Sequence, residues 1–320
     1  MSDGSRKVRT RRLAVADRPL LTRDDAWFLL EFPVLFLVAA AVPERRWPSV
    51  TFRLEQAKAA LARFSPERIL RGMRLMRNDL SRDDALRAAA TRSEHHVQIV
   101  RDFFWGWQAP IELSGAHHVT NALAGGRGAV LWVAHFSFNS LAVKKAFHAA
   151  GFPVSHLSRP EHGFSKSRFG VSCLNPIRVR TELRYLDDRI VIDRAKPASA
   201  VNRAQRRLRA NEIVSITAGA WEGARVATAN VRGCALDLST GAPGLALMTG
   251  AALLPVFTVR DPGTSRIDVI VGEPIAMDHD GNRDETLLKA TQAFADRLGP
   301  FVASHPLQWR DWEKIRAADL

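Results

Sequence analysis

The chain has 320 residues, of which 46% are apolar, and a formal charge of +13. That length and apolar share suffice for a sizeable core and argue against a disordered chain. The basic balance favours anionic partners, whether phospholipid surface, nucleic acid or an acidic carrier protein, and does not choose among them.

The first segment, residues 1–26, is a basic polar arm carrying Arg6, Lys7, Arg9, Arg11 and Arg12. The apolar run Trp27–Pro43 follows, interrupted by Glu31 and Pro33. It falls short of the ~20 apolar residues that a membrane crossing needs. Basic residues on both flanks, with Arg45 and Arg46 on the far side, also break the charge asymmetry of a crossing helix. A late start and no clear cleavage site argue against a secretory signal. The run reads as a segment dipping into one leaflet while the basic tract holds anionic headgroups. The other reading is a buried helix that covers the core.

Residues 27–110 form a membrane-associating and helical region, with 44–108 read as helical. Ser65-Pro66-Glu67 is a helix start, and Ser81 with Asp84 matches a capping box. Leu86, Ala90, Val97, Val100 and Phe104 continue an approximate helical stripe. Trp105-Gly106-Trp107 through Pro110 ends the region.

From residue 111 to 320 the pattern alternates strands with helices. Predicted strands are Ala129–Ala134, Pro153–Leu157, Arg189–Ile192, Ile213–Thr217, Leu253–Val259 and Ile267–Val271. Helices are expected at Leu141–Ala149 and Ala198–Arg209, with a closing helix over 284–303. Gly125-Gly126-Arg127-Gly128 is the turn into the first core strand. The fold class is therefore α/β, a mixed and mostly parallel sheet flanked by helices.

His135 ends the apolar run Ala129–Ala134, where α/β folds open a ligand crevice. A strand fixes the imidazole there while the crevice admits substrate, which suits a general base. Asn139 and Ser140 follow within a turn of chain. A second candidate is Ala220–Arg225, a loop after the strand Ile213–Thr217. In it Gly223 permits close backbone approach, Arg225 offers a fork for phosphate, and Glu222 orients Arg225 or accepts a hydroxyl. Arg159, with Lys166 and Arg168 close behind, is a third, suited to an anion or to a solvated basic loop.

Several chemistries lack their motifs. Neither a GxxxxGK[ST] loop nor a GxGxxG after a strand occurs. Ser137, Ser140 and Ser172 have no nucleophile-elbow context. The pairs His95-His96 and His117-His118 lack metal-ligand spacing and read as surface or turn residues. No metal or cofactor is called for. Cys173 and Cys234 form no CxxC pair and read as reduced thiols of a cytosolic setting. Without zinc spacing or an RNP-like aromatic motif, nucleic acid is not a partner on this reading.

Taken in order, these pieces resemble the lysophospholipid acyltransferase superfamily, most closely its lipid A biosynthesis lauroyl acyltransferase branch. The resemblance runs from about residue 27 to 313. It rests on the amino-terminal apolar segment, GAHHVTNALAGGRGAVLWVAHF up to the histidine, and Ser158-Arg159-Pro160. Further on come LRANEIVSITAG, then STGAPGLALM leading into TGAALLPVF around Pro255, and HPLQWRDWEK near the end.

The resemblance implies an acyltransferase on the cytoplasmic face of the inner membrane. Acyl carrier protein or acyl-coenzyme A would donate the acyl group, and a lipid hydroxyl would receive it. His135 would be the base, with direct attack on the thioester and no acyl-enzyme. Glu222, Gly223 and Arg225 would bind the acceptor, with Arg225 on a phosphate and Arg159 contributing.

Ser140 departs from the pattern, since the family carries Asp or Glu there to orient and balance the imidazole. Three explanations stand open. Ser140 or Asn139 suffices, another carboxylate substitutes, or the chain is a weak or inactive lipid-binding relative.

Overall fold

The computed structural model describes residues 7–10, 19–193, 196–219, 225–261 and 265–318. The elements run β1 (Arg9–Thr10), α1 (Arg23–Ala41), α2 (Trp47–Ala60), α3 (Glu67–Arg74), α4 (Arg82–Trp105), β2 (Ile111–Ser114), α5 (Ala116–Ala124) and β3 (Ala129–Val133). Next come α6 (Asn139–Ala149), β4 (Val154–Ser158), α7 (Asn175–Leu183), β5 (Asp188–Val191), α8 (Pro197–Arg209) and β6 (Ile213–Thr217). The chain closes with β7 (Arg225–Val231), β8 (Cys234–Ser239), α9 (Gly241–Thr249), β9 (Ala252–Arg260), β10 (Ile267–Val271), α10 (Arg283–Ser304) and β11 (Arg316–Ala317).

Seven strands form the main sheet in the order β2-β10-β9-β3-β6-β4-β5. Its pairings are parallel except β9 with β10. β3 sits at the centre, and its five residues Ala-Val-Leu-Trp-Val are all buried. Because alternate side chains leave opposite faces of a strand, a run buried on both sides must feed two cores. Ala129, Leu131 and Val133 pack in one core with Val100, Leu141 and Phe147. Val130 and Trp132 pack in the other with Ala204, Leu245 and Phe294. Trp132 stacks on Phe294, with ring centroids 4.2 Å apart. The chain leaves β3 through α6 on the first face and reaches β6 through α8 on the second, so the crossovers diverge beside β3. Such a divergence opens a crevice at the carboxyl ends of the strands.

Helices α1 and α2 cover the first face, α3 packs into the second core, and α4 contributes to both. Thr22 and Asp25 close a capping box at the start of α1, and Ser81 with Asp84 does the same for α4. Phe28, Leu35, Val38 and Ala39 turn the inner side of α1 into the core. Its outer side is also apolar, with Leu30 67% and Leu37 63% exposed beside Leu29 and Val34. The run Trp27–Pro43 is thus a core-covering helix whose outer face is apolar as well. Among the described residues no helix is long and apolar enough to cross a membrane.

The hairpin β7–β8 and the short strand β2 were not among the predicted strands. The hairpin builds a second sheet, β1-β7-β8-β11. There Asp237, 4% exposed, accepts Nη2 of Arg9 at 2.6 Å and Nη2 of Arg316 at 3.1 Å, tying strands from both ends of the chain together. The reading of His95-His96 as surface or turn residues is corrected. Both lie within α4, and His95 is fully buried on its core side.

Candidate active site

His135 follows directly on β3, and three hydrogen bonds fix the strand's end. Ala134 N–H donates to the Val256 carbonyl at 2.8 Å, Ala218 N–H to the Val133 carbonyl at 2.7 Å, and Asn139 Nδ2 to the Ala134 carbonyl at 3.0 Å. Asn139 is therefore a backbone brace at the start of α6.

The segment after α10 lies antiparallel beside the histidine. Phe136 bridges Trp309, Arg310 N–H donates to the His135 carbonyl at 3.0 Å, and Ser137 N–H to the Gln308 carbonyl at 2.8 Å. The Gln308 amide bonds both backbone groups of Arg260 on β9, at 2.7 Å each. Trp309 and Trp312, both 1% exposed, anchor the segment in the core. This places Asp311 against the imidazole, with His135 Nδ1 to Asp311 Oδ1 at 2.9 Å. Lys314 Nζ donates to the same oxygen at 2.6 Å.

The electrostatics favour a neutral imidazole beside a charged carboxylate. Burial pulls His135 below its ordinary value and outweighs the attraction of Asp311. Burial opposes ionisation of Asp311, yet His135 and Lys314 hold it well below the carboxylate range. A carboxylate acceptor at Nδ1 requires N–H there, which leaves Nε2 with its lone pair. His135 is 21% exposed at the side chain and lines a cavity of about 520 Å³. The arrangement can therefore accept a proton at Nε2 while Asp311 balances the imidazolium.

Ser140 is engaged elsewhere. Its hydroxyl donates to Glu182 Oε1 at 2.5 Å and accepts Arg178 Nη2 at 2.8 Å. Glu182 is 3% exposed and also takes Arg178 Nε at 2.8 Å, His162 Nε2 at 2.7 Å and Lys144 Nζ at 3.1 Å. Burial draws His162 down to about 4 against the pull of Glu182, so it is neutral at pH 7. Burial opposes the charge on Glu182, but His162, Lys144 and Arg178 keep it well below its ordinary value.

The cavity gathers His135, Asn139, Ser140, Arg159 and Arg225 from three separate stretches of the expected site. Arg225 opens β7 and pairs with Asp284 at 2.6 Å. Arg159 follows β4, and its carbonyl accepts Nη2 of Arg189 at 2.8 Å. Glu222 and Gly223 lie outside the described residues. One flank of the cavity is apolar, with Leu157, Ile192, Val201, Ile216, Leu245 and Met248. Seven basic side chains line it against one carboxylate, Glu161, among the described residues. No group of three or more His, Cys, Asp or Glu among the described residues is placed to hold a metal ion.

Sequence reasoning missed Asp311, Lys314 and the cluster around Glu182. The one available signal was Trp309-Arg310-Asp311-Trp312, a carboxylate between two tryptophans, which suggests a buried acid. Scanned against protein-family models the chain has no match, and no curated protein is significantly similar to it.

Proposed function

We propose that the protein is a membrane-associated O-acyltransferase. It moves a fatty acyl group from an acyl thioester, of acyl carrier protein or coenzyme A, to a hydroxyl of a glycolipid or lysophospholipid. The observation that carries this reading is the Asp311 carboxylate 2.9 Å from Nδ1 of His135, whose ring opens on the cavity. Of the three explanations for Ser140, it favours a substitute carboxylate.

In the proposed reaction Nε2 of His135 takes the acceptor's hydroxyl proton as the oxygen attacks the thioester carbonyl. The carbon–sulfur bond then breaks, and the imidazolium returns its proton to the departing thiolate. Asp311 offsets the transient charge, the role that a carboxylate plays in other histidine-based acyl transfers. The apolar flank suits an acyl chain and the basic lining an anionic substrate. The apolar outer face of α1 suits the cytoplasmic leaflet of the inner membrane.

The test is acyl transfer by purified protein across a panel of thioester donors and lipid acceptors. His135→Ala should abolish product, and full turnover in that variant would sink the base assignment. The alternative, a catalytically silent lipid-binding relative, was motivated by Ser140, and Asp311 weighs against it. Lipid binding with no transfer from any donor would favour that alternative.

A further inference from the structure

Lys144, Arg178 and Glu182 are 5%, 9% and 3% exposed, and the two cations share one carboxylate. All four acceptor directions of Glu182 are used, by Ser140, Arg178, His162 and Lys144. His162 and His156 add no charge at pH 7, because burial draws His162 down to about 4 and holds His156 well below its ordinary value. Within this cluster two cations therefore meet one carboxylate, an excess of one positive charge. Arg189 stands close by, its guanidinium on the Ser158 hydroxyl and the Arg159 carbonyl at 2.8 Å each. An uncompensated buried charge costs several kcal/mol unless an opposite charge reaches it.

The donors needed to receive that charge are in place. The Lys144 ammonium gives one N–H to the Ser140 carbonyl at 2.7 Å and one to Glu182, which leaves a third. Arg178 commits Nε to Glu182 and Nη2 to Ser140, so Nη1 has no protein partner among the described residues. Both side chains line the cavity. Ser140 and Glu182 fix the guanidinium plane, and a preorganised fork of this kind matches a tetrahedral oxyanion.

We propose that Lys144 and Arg178, positioned by Ser140 and Glu182, form a binding subsite for a phosphate group of the substrate. It is separate from the His135–Asp311 pair, and it rests on the acyltransferase reading only for the identity of the phosphate's carrier. Two carriers share this chemistry, a lipid phosphomonoester and the phosphate of a coenzyme A-type donor. The subsite also accounts for serine at 140. A carboxylate there would cancel the excess charge, whereas serine stays neutral, donating a hydrogen bond to Glu182 and accepting one from Arg178.

Inorganic phosphate at constant ionic strength is the probe, read by calorimetry and by thermal melting of the full chain. Wild-type protein should bind it saturably. Lys144→Met should weaken binding at least tenfold without lowering the melting temperature, since Arg178 and Glu182 then balance one to one. A purely structural lysine would instead lower that temperature. Arg178→Lys, which keeps the charge and loses the fork, should also weaken binding, and Lys289→Gln on the exposed face of α10 should not.

Absence of saturable binding, or wild-type binding in both Lys144→Met and Arg178→Lys, overturns the subsite. Displacement of phosphate by lysophosphatidic acid assigns the subsite to the acceptor, and displacement by coenzyme A assigns it to the donor. Displacement by neither overturns the assignment to substrate. His135→Ala should bind phosphate as wild type does. Loss of binding in Lys144→Met, with no acyl transfer by any form, would keep the subsite and remove the acyltransferase reading.

Discussion

Asp311 lies 176 residues from His135 in the chain, yet its carboxylate is the one that meets the imidazole. The resemblance to acyltransferases put the search five residues on, at Ser140, where a carboxylate was expected. Asp311→Asn keeps the size of the side chain and removes the charge. On the proposed mechanism it should lower kcat roughly 10²–10⁴-fold with little change in KM, by analogy with the serine-protease aspartate. Steady-state kinetics at saturating donor checks this, and unchanged kcat would remove Asp311 from the mechanism. Lys314 acts on the same oxygen and is among the groups that pull His135 down, after burial and alongside Arg310. Lys314→Gln should therefore raise the imidazole's pKa toward 6.5, so the acid limb of kcat/KM moves to higher pH. A limb that stays put, or moves down, would count against that coupling. Ser140→Asp sets a second carboxylate beside Glu182, where the serine hydroxyl now sits at 2.5 Å. Residue 140 faces Glu182 and Arg178 rather than the imidazole. The expected result is no gain in turnover; a large gain would mean that His135 works with residue 140 after all.

Among the elements, α1 carries the clearest prediction. Leu30 and Leu37 are largely exposed on its outer face, while Phe28 and Leu35 hold its inner face in the core. Burying a leucine side chain is worth about 1.5–3 kcal/mol. Leu30→Glu with Leu37→Glu should then weaken partition onto phosphatidylglycerol vesicles by roughly 100-fold or more. Co-sedimentation checks it, and a melting temperature near wild type shows that the fold is intact. Equal vesicle binding by the double variant would move the membrane face elsewhere. The strands show how far sequence reasoning reaches. Ile213–Thr217 and Ile267–Val271 coincide with β6 and β10, and β3 with the first five residues of Ala129–Ala134. β3 is buried at every position, β6 at its first three and β10 at alternate ones, so apolar, β-branched runs mark them in the sequence. β7 begins at Arg225, inside the string read as an acceptor loop, and β2 is a four-residue edge strand without an apolar run. Their pairing partners, not their own residues, make them strands. The cluster of Ser140 with Glu182, and of His135 with Asp311, depends on which helices and tails pack together. No local pattern encodes that.

At the scale of the whole molecule, the buried histidines dictate how the protein responds to acid. His95, His96 and His156 are held well below 6.5, chiefly by burial, and His135 is lowered too. His162 is drawn down to about 4. Both ring nitrogens of His95 are buried without a hydrogen-bond partner among the described residues, so nothing awaits its proton. In the unfolded chain each of these rings titrates near 6.5. Between pH 6.5 and 4 the unfolded state therefore binds more protons than the folded one, and stability falls as pH falls. The carboxylates extend the trend, since Glu182 and Asp311 ionise well below their ordinary values and lose that stabilisation on further acidification. Glu31 and Glu44 oppose it, because burial raises both and protonation then favours the fold. Two raised glutamates against five lowered histidines leave the balance with the histidines. The melting temperature should be nearly flat from pH 9 to 7 and drop by several degrees per unit from pH 6.5 toward 4. His162→Gln, which keeps a donor for Glu182 and does not titrate, should flatten that slope. A melting temperature that holds constant down to pH 4.5 would mean that these rings are hydrated or charged in the folded protein. The same cavity wall would then carry more positive charge than Lys144 and Arg178 supply, and phosphate binding should tighten as pH falls from 7 to 5.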